Sequence, residues 1–226
     1  AEKLPENKIG SNGQLLEWRE EVPELTPGMG HISHLWGAYP GDEINWKDTP
    51  DLWEAVRRSL DIRVENGAGG HGWPAAWYIC QYARLLDPVK TESFIRTLLA
   101  QSAKKNFFNA RGVFQIDGNL GGLAGMAEAL LQSHLGMLHL LPALPPAWKQ
   151  GSVQGMKARG GYTVNIAWKD GKLTEATVSA TKDGTLEVYG EELTVTCNGQ
   201  QLPVQKTAHG FSFPVKEGCT YQLCAN

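Results

Sequence analysis

Two different periods of apolar residues divide this chain. From Thr49 onward, Leu52, Trp53, Val56 and Leu60 recur at helical spacing, with Thr49 placed to cap and Pro50 suited to the first helical position. Ala76, Trp77, Cys80 and Ala83 repeat the pattern over residues 74–86. Asp87-Pro88 ends that helix and opens another through Phe94, Ile95, Leu98 and Leu99, so an αα-hairpin is expected. Leu123, Met126, Ala127, Leu130 and Leu131 predict a fourth helix over residues 122–134, with Gly136 placed to stop it. Gly- and aromatic-rich loops at 28–41, 62–73 and 104–121 join these helices, and long loops inside a compact domain usually carry function. Beyond Leu141 the prolines at 142, 145 and 146 interrupt the chain, and Tyr162-Thr163-Val164-Asn165-Ile166-Ala167-Trp168 alternates with strand period. Asp170-Gly171, Asp183-Gly184 and Asn198-Gly199 supply tight turns between strands expected at 173–180, 194–197, 211–215 and 220–223. The reading is a helical part, residues 1–138, followed by a small antiparallel β-sandwich, residues 139–226.

Composition narrows the function classes. The 226 residues are 42% hydrophobic and 20% charged with a formal net charge of −3, enough apolar material for a core and too little charge for disorder. Twenty-one basic residues face 24 acidic ones without a basic cluster, which removes nucleic acid as an expected partner. No apolar run reaches the roughly 18–20 residues of a membrane span, and the N-terminal octapeptide has no apolar signal core. The chain begins without Met, so a piece of a longer protein is expected. Four cysteines, Cys80, Cys197, Cys219 and Cys224, show no CxxC spacing, so no metal is expected. Cys80 reads as a helix-core thiol, and the other three allow one disulfide or none.

Six of the eight tryptophans fall within the first 80 residues. Aromatic planes beside polar groups suit sugar rings. Trp53 and Trp77 read as core from their helical phase, whereas Trp18 and Trp36 read equally as core or as platforms. Glu17 stands beside Trp18, and His31, Ser33 and His34 precede Trp36. His31 and His34 share a face if their segment is helical, either donating to sugar hydroxyls or serving as satisfied structural imidazoles, and His71 in its Gly-rich loop reads both ways. Phe114-Gln115-Ile116-Asp117-Gly118-Asn119-Leu120-Gly121-Gly122 places an acid in a turn leading into a helix. There a carboxylate can cap or take a proton, and small residues admit a ligand close to the backbone.

Taken together, Gly-Gln-Leu-Leu-Glu-Trp (13–18), His-Ile-Ser-His-Leu-Trp-Gly-Ala-Tyr-Pro-Gly (31–41), Gly-Gly-His-Gly-Trp (69–73), the 114–122 segment, His-Leu-Leu-Pro-Ala-Leu-Pro (139–145) and Ala-Arg-Gly-Gly-Tyr (158–162) resemble the C-terminal part of glycoside hydrolase family 95. The resemblance is ordered and spans nearly the whole chain. It implies the last helices of an (α/α)6 barrel followed by a C-terminal β-domain, within an inverting exo-α-L-fucosidase that needs no cofactor. It further implies a secreted or periplasmic bacterial source and, as partner, the remaining N-terminal portion of the parent, which would carry the general acid Glu and the water-positioning Asn. Inversion ordinarily requires two carboxyl groups far enough apart to admit water. On the family's pattern Asp117 is the carboxylate supporting that Asn, and His31, His34, Trp36, Glu17, Trp18, His71 and Asn119 contact a fucosylated substrate. Leu120 stands where the family motif has Phe, and His71-Gly72-Trp73-Pro74 departs from Thr-Gly-Trp-Ser, which bears on fucose against L-galactose. The alternatives are an α-L-galactosidase of the same family, a related barrel enzyme acting on another deoxy sugar, or a non-catalytic carbohydrate-binding or assembly module.

Overall fold

The computed structural model of the chain describes residues 5–225, so the first half of the N-terminal octapeptide lies outside the described residues. It divides into two compact units, Ala1–Glu128 and Ala129–Asn226.

In the first unit a 3₁₀ turn, Ser33–Gly37, precedes helices α1 (Pro50–Glu65), α2 (Gly72–Arg84) and α3 (Pro88–Thr97), which runs into a π turn, Leu98–Ser102. A short hairpin, β1 (Ala110–Arg111) and β2 (Val113–Phe114), leads into α4 (Ile116–Leu130). The αα-hairpin is present, and the Asp87 side chain caps α3 by accepting from the Lys90 backbone N–H at 2.9 Å. Thr49 sits at the N-cap of α1 but does not cap it. Its hydroxyl accepts from the Asn45 N–H and donates to the Glu43 carbonyl, which folds the preceding turn instead. The fourth helix starts at Ile116 and ends at Leu130, six residues earlier and four residues shorter than its apolar period implied. Asp117 therefore lies inside the first helical turn rather than in the turn before it. Gly136, with φ of +79°, turns the chain between β3 (Leu131–Gln132) and β4 (His139–Leu140).

The most buried helix is α2. Tyr78 and Tyr82 lie against Phe94 of α3 with ring centroids 5.1 and 5.5 Å apart, and Ala75, Ala76, Ile79, Cys80 and Ala83 are also buried. Helix α4 runs parallel to it: Cys80 Sγ donates to the Gly121 carbonyl at 3.4 Å, and one helical step further Arg84 Nε reaches Glu128 Oε2 at 2.6 Å. The glycines of α4 set that spacing. A Cβ on Gly125 would fall 2.5 Å from Ile79 Cγ2, and one on Gly122 the same distance from Leu98 Cδ2. The small residues read as admitting a ligand instead admit neighbouring side chains.

The second unit adds β5 (Gln150–Ala158), β6 (Tyr162–Lys169), β7 (Lys172–Ala180), β8 (Gly184–Tyr189), β9 (Thr194–Cys197), β10 (Gln200–Gln201), β11 (Gln205–Lys206), β12 (Gly210–Val215) and β13 (Thr220–Cys224). A six-stranded sheet, in order β10-β9-β13-β7-β6-β5, and a three-stranded one, β11-β12-β8, share a core. The expected sandwich is therefore the observed one. Tyr162, Val164, Ile166 and Trp168 point inward on β6 and meet Val178, Val188, Phe211, Phe213 and Leu223. Strand β5 escaped the periodicity because it is an edge strand, mostly exposed and bulged between Val153 and Met156. All four cysteines are free thiols. No helix among the described residues is long and apolar enough to cross a membrane.

Candidate functional site

The parallel course of α2 and α4 brings their N-terminal ends together. A Cβ on Gly72, at the start of α2, would lie 2.6 Å from Gln115 Oε1, the residue before α4. Gly72 itself has φ of +59° and donates its N–H to Ser102 Oγ at 2.7 Å. His71 and Trp73 flank that glycine, and Asp117 follows Gln115 by two residues, so three of the sequence motifs converge on one end of the helix pair. His31 joins them: its ring stands edge-on to Trp73 with centroids 4.9 Å apart, and Trp73 leans on Trp77 at 5.8 Å. The Asp117 carboxylate is exposed in the first turn of α4, where the positive end of the helix dipole favours its charge. It makes no hydrogen bond or ion pair among the described residues, so it is not held as a local cap.

Asn119 belongs to the same end but is used differently from the sugar contact expected of it. Its Oδ1 accepts from the Asn109 N–H and its Nδ2 donates to the Phe107 carbonyl, each at 2.8 Å. Both ends of the amide thus pin the β1–β2 hairpin to α4. Trp36 is 54% exposed within the 3₁₀ turn and touches no other ring among the described residues.

Glu17, Trp18 and His34 form a second grouping around Arg63 of α1, whose side chain is buried. Arg63 Nη2 binds Glu17 Oε2 at 2.9 Å and Glu24 Oε1, and Nη1 donates to the Met29 carbonyl at 2.9 Å. One guanidinium therefore fastens three points of a segment without regular structure that leads directly to His31. His31 and His34 part company because the 3₁₀ turn begins only at Ser33: His31 stays exposed, whereas His34 turns inward with its Nδ1 at 3.8 Å from Glu17 Oε2. Burial first, and the Arg63 charge second, push its pKa down to about 4. An ion-paired histidine would shift the other way, so His34 is a neutral imidazole at pH 7. No cluster among the described residues has the composition of a metal site.

This imidazole makes stability depend on acid. Above pH 6.5 both the folded and unfolded states hold it neutral, whereas between about 6.5 and 4 only the unfolded state takes up the proton, so about 3 kcal/mol of stability is lost over that window. Urea midpoints followed by tryptophan fluorescence at pH 7 and 4.5 should show that fall, and His34→Gln should flatten it. An unchanged pH slope in the variant would contradict the assignment.

Sequence reasoning missed Arg63, Gln14 and Gln115. Arg63 stands one helical turn past Ser59, whose hydroxyl accepts from the Leu15 N–H at 2.8 Å, and a lone arginine inside an amphipathic helix carries no motif that would signal this.

Comparison with known proteins came next. The model described as "Glycosyl hydrolase family 95 catalytic domain" matches residues 1–130, and "Glycoside hydrolase family 95, C-terminal domain" matches residues 132–223. Alpha-L-fucosidase 2 of Arabidopsis thaliana is 37% identical over 190 residues, covering 76% of this chain and 22% of that protein. Probable alpha-fucosidase A of Aspergillus oryzae is 27% identical over 212 residues, covering 83% and 29%. The Aspergillus niger protein of the same name is 29% identical over 187 residues, covering 74% and 23%. The chain thus spans less than a third of the length of these curated relatives, which come from a plant and two fungi.

Proposed function

Because the chain belongs to glycosyl hydrolase family 95, we propose that it is the C-terminal part of an inverting exo-α-L-fucosidase releasing terminal α-linked L-fucose from glycans. The observation that carries this reading is the convergence of His31, His71, Trp73 and Asp117 at the shared end of α2 and α4. In the mechanism, a Glu supplied by the rest of the parent protonates the leaving oxygen. An Asn, also from the rest of the parent, positions the attacking water, and Asp117 accepts the proton burden that an amide cannot carry. The exposed edge of His31 and the face of Trp73 offer a donor and an apolar plane to the sugar. A bacterial origin draws no support from relatives of plant and fungal source.

The apolar surface at this end suits the same reading. Ile116, Leu120 and Leu123 repeat along one exposed stripe of α4, and Phe107, Phe108, Val113 and Phe114 of the adjoining hairpin are exposed as well. A helix in water buries such a stripe. Its proposed cover is the remaining portion of the parent, completing the barrel of which these are the last helices. The isolated 226-residue chain is expected to bind a hydrophobic dye strongly and to self-associate, and Leu120→Lys with Leu123→Glu to suppress both. A monodisperse wild-type chain without dye binding would overturn this part.

The test of the function is release of L-fucose from 2′-fucosyllactose by the full-length parent and by the 226-residue chain. The parent is expected to turn over and the chain alone to be inactive, since the acid and the water-holding amide are absent from it. Fucose release by the purified chain, abolished by Asp117→Asn, would reverse the division of labour. A second reading, a non-catalytic carbohydrate-binding module, is favoured by one observation, the 62% and 54% exposure of Trp18 and Trp36. Sugar binding by the parent without any fucose release would select it.

A further inference from the structure

Beneath the 11–27 segment, against α1, lies a cavity of about 470 Å³, within the size range of small-molecule pockets. Its walls are rich in acceptors that nothing satisfies. The His34 side chain is only 7% exposed, and its Nδ1 has no hydrogen-bond partner. Gln14 Oε1 is likewise buried and unpartnered, while the other end of that amide is turned toward Glu21. Glu17 and Glu24 each give one oxygen to Arg63, and their second oxygens make no hydrogen bond among the described residues. The Trp18 indole stands at the margin, largely exposed.

Buried acceptors without donors are costly, and a site that carries several calls for a ligand that brings donors. Charge narrows the class further. The lining holds four carboxylates, Glu17, Glu20, Glu21 and Glu24, against the single guanidinium of Arg63, which disfavours an anion. An uncharged ring with hydroxyl donors on its rim and a C–H face for Trp18 meets both conditions. The geometry points to this cavity as the receptor for a neutral sugar unit of the glycan. Building on the fucosidase reading, that unit belongs to the portion bearing the fucose rather than to the fucose itself. Glu17, Trp18 and His34 then act together on one sugar, with Gln14 as a fourth contact that no motif suggested. Arg63 holds the two carboxylates so that their free oxygens face inward.

The experiment is calorimetric titration of the full-length parent with lactose and with 3′-sialyllactose, alongside fucose release from 2′-fucosyllactose. Lactose is expected to bind, Trp18→Ala and Gln14→Leu each to weaken it at least tenfold, and sialyllactose to bind at least tenfold more weakly than lactose. Trp18 is largely exposed, so its variant keeps the fold, and equal melting temperatures for variant and wild type check this. Lactose affinity unchanged in both variants, or equal affinity for the sialylated sugar, overturns the inference, as does a polyamine bound in preference to either. The two readings fail separately. Lactose binding sensitive to Trp18 without fucose release sinks only the fucosidase reading, and fucose release with Trp18-insensitive lactose binding sinks only this one.

Discussion

Asp117→Asn in the full-length parent is expected to lower turnover of 2′-fucosyllactose at least about a hundredfold, the lower end of what a positioned proton acceptor contributes. Binding of L-fucose and the melting temperature should stay close to wild type. The two halves of this expectation rest on different observations. Asp117 is exposed, and it makes no hydrogen bond or ion pair among the described residues. Its contribution to folding is thus confined to the helix dipole, a few tenths of a kcal/mol, which is typical of a surface site. A carboxylate that contributes so little to stability, at the convergence of His31, His71 and Trp73, has its value in chemistry. Asparagine keeps the shape and removes the proton-accepting oxygen. Full activity in the variant would reduce Asp117 to a favourable charge at a helix end.

Arg84→Ala is expected to act in the opposite sense, with a large loss of stability from a residue that touches no substrate. Its guanidinium binds Glu128 through Nε at 2.6 Å and Nη2 at 3.3 Å, and Nη1 donates to the Ala38 and Gly41 carbonyls at 3.2 and 3.0 Å. It also lies over the Tyr39 ring at 5.2 Å. Removing it leaves a carboxylate and two carbonyls short of their donor. The cost should be about 3 kcal/mol, near the lower bound for breaking a buried pair because the Glu128 side chain keeps 22% of its exposure. Urea midpoints measure it. The double variant Arg84→Met, Glu128→Leu should recover at least half of the loss, since an apolar pair leaves no stranded charge. A loss below about 1 kcal/mol in Arg84→Ala would mean that solvent replaces the arginine.

The fall in stability with acid and the expected association of the isolated chain follow from the same architecture. Buried polar groups such as His34 and Arg84 hold the loops to the helices, while an apolar stripe on α4 is left facing outward.

The helical half and the sandwich were legible in the sequence because each rests on local physics. Period 3.6 on α1 and α2, Asp-Pro between α2 and α3, and strict alternation along β6 all express preferences that residues carry wherever they sit. The family was legible for a related reason, since ordered motifs at fixed spacing survive without coordinates. Tertiary structure alone decided which motif residues meet. The start of α4 at Ile116 drew Asp117 into a helix because glycines at 121, 122 and 125 pack closely on α2 and Leu98, a gain that no local propensity for glycine in helices would forecast. The divergence of His31 and His34 depended on where a 3₁₀ turn begins. Arg63, the hub of one grouping, is chosen by three partners 34 to 46 residues away in sequence. Local pattern records what a residue prefers for itself, whereas burial and charge pairing are settled by distant neighbours. The elements could therefore be read from the chain, and the site had to be seen.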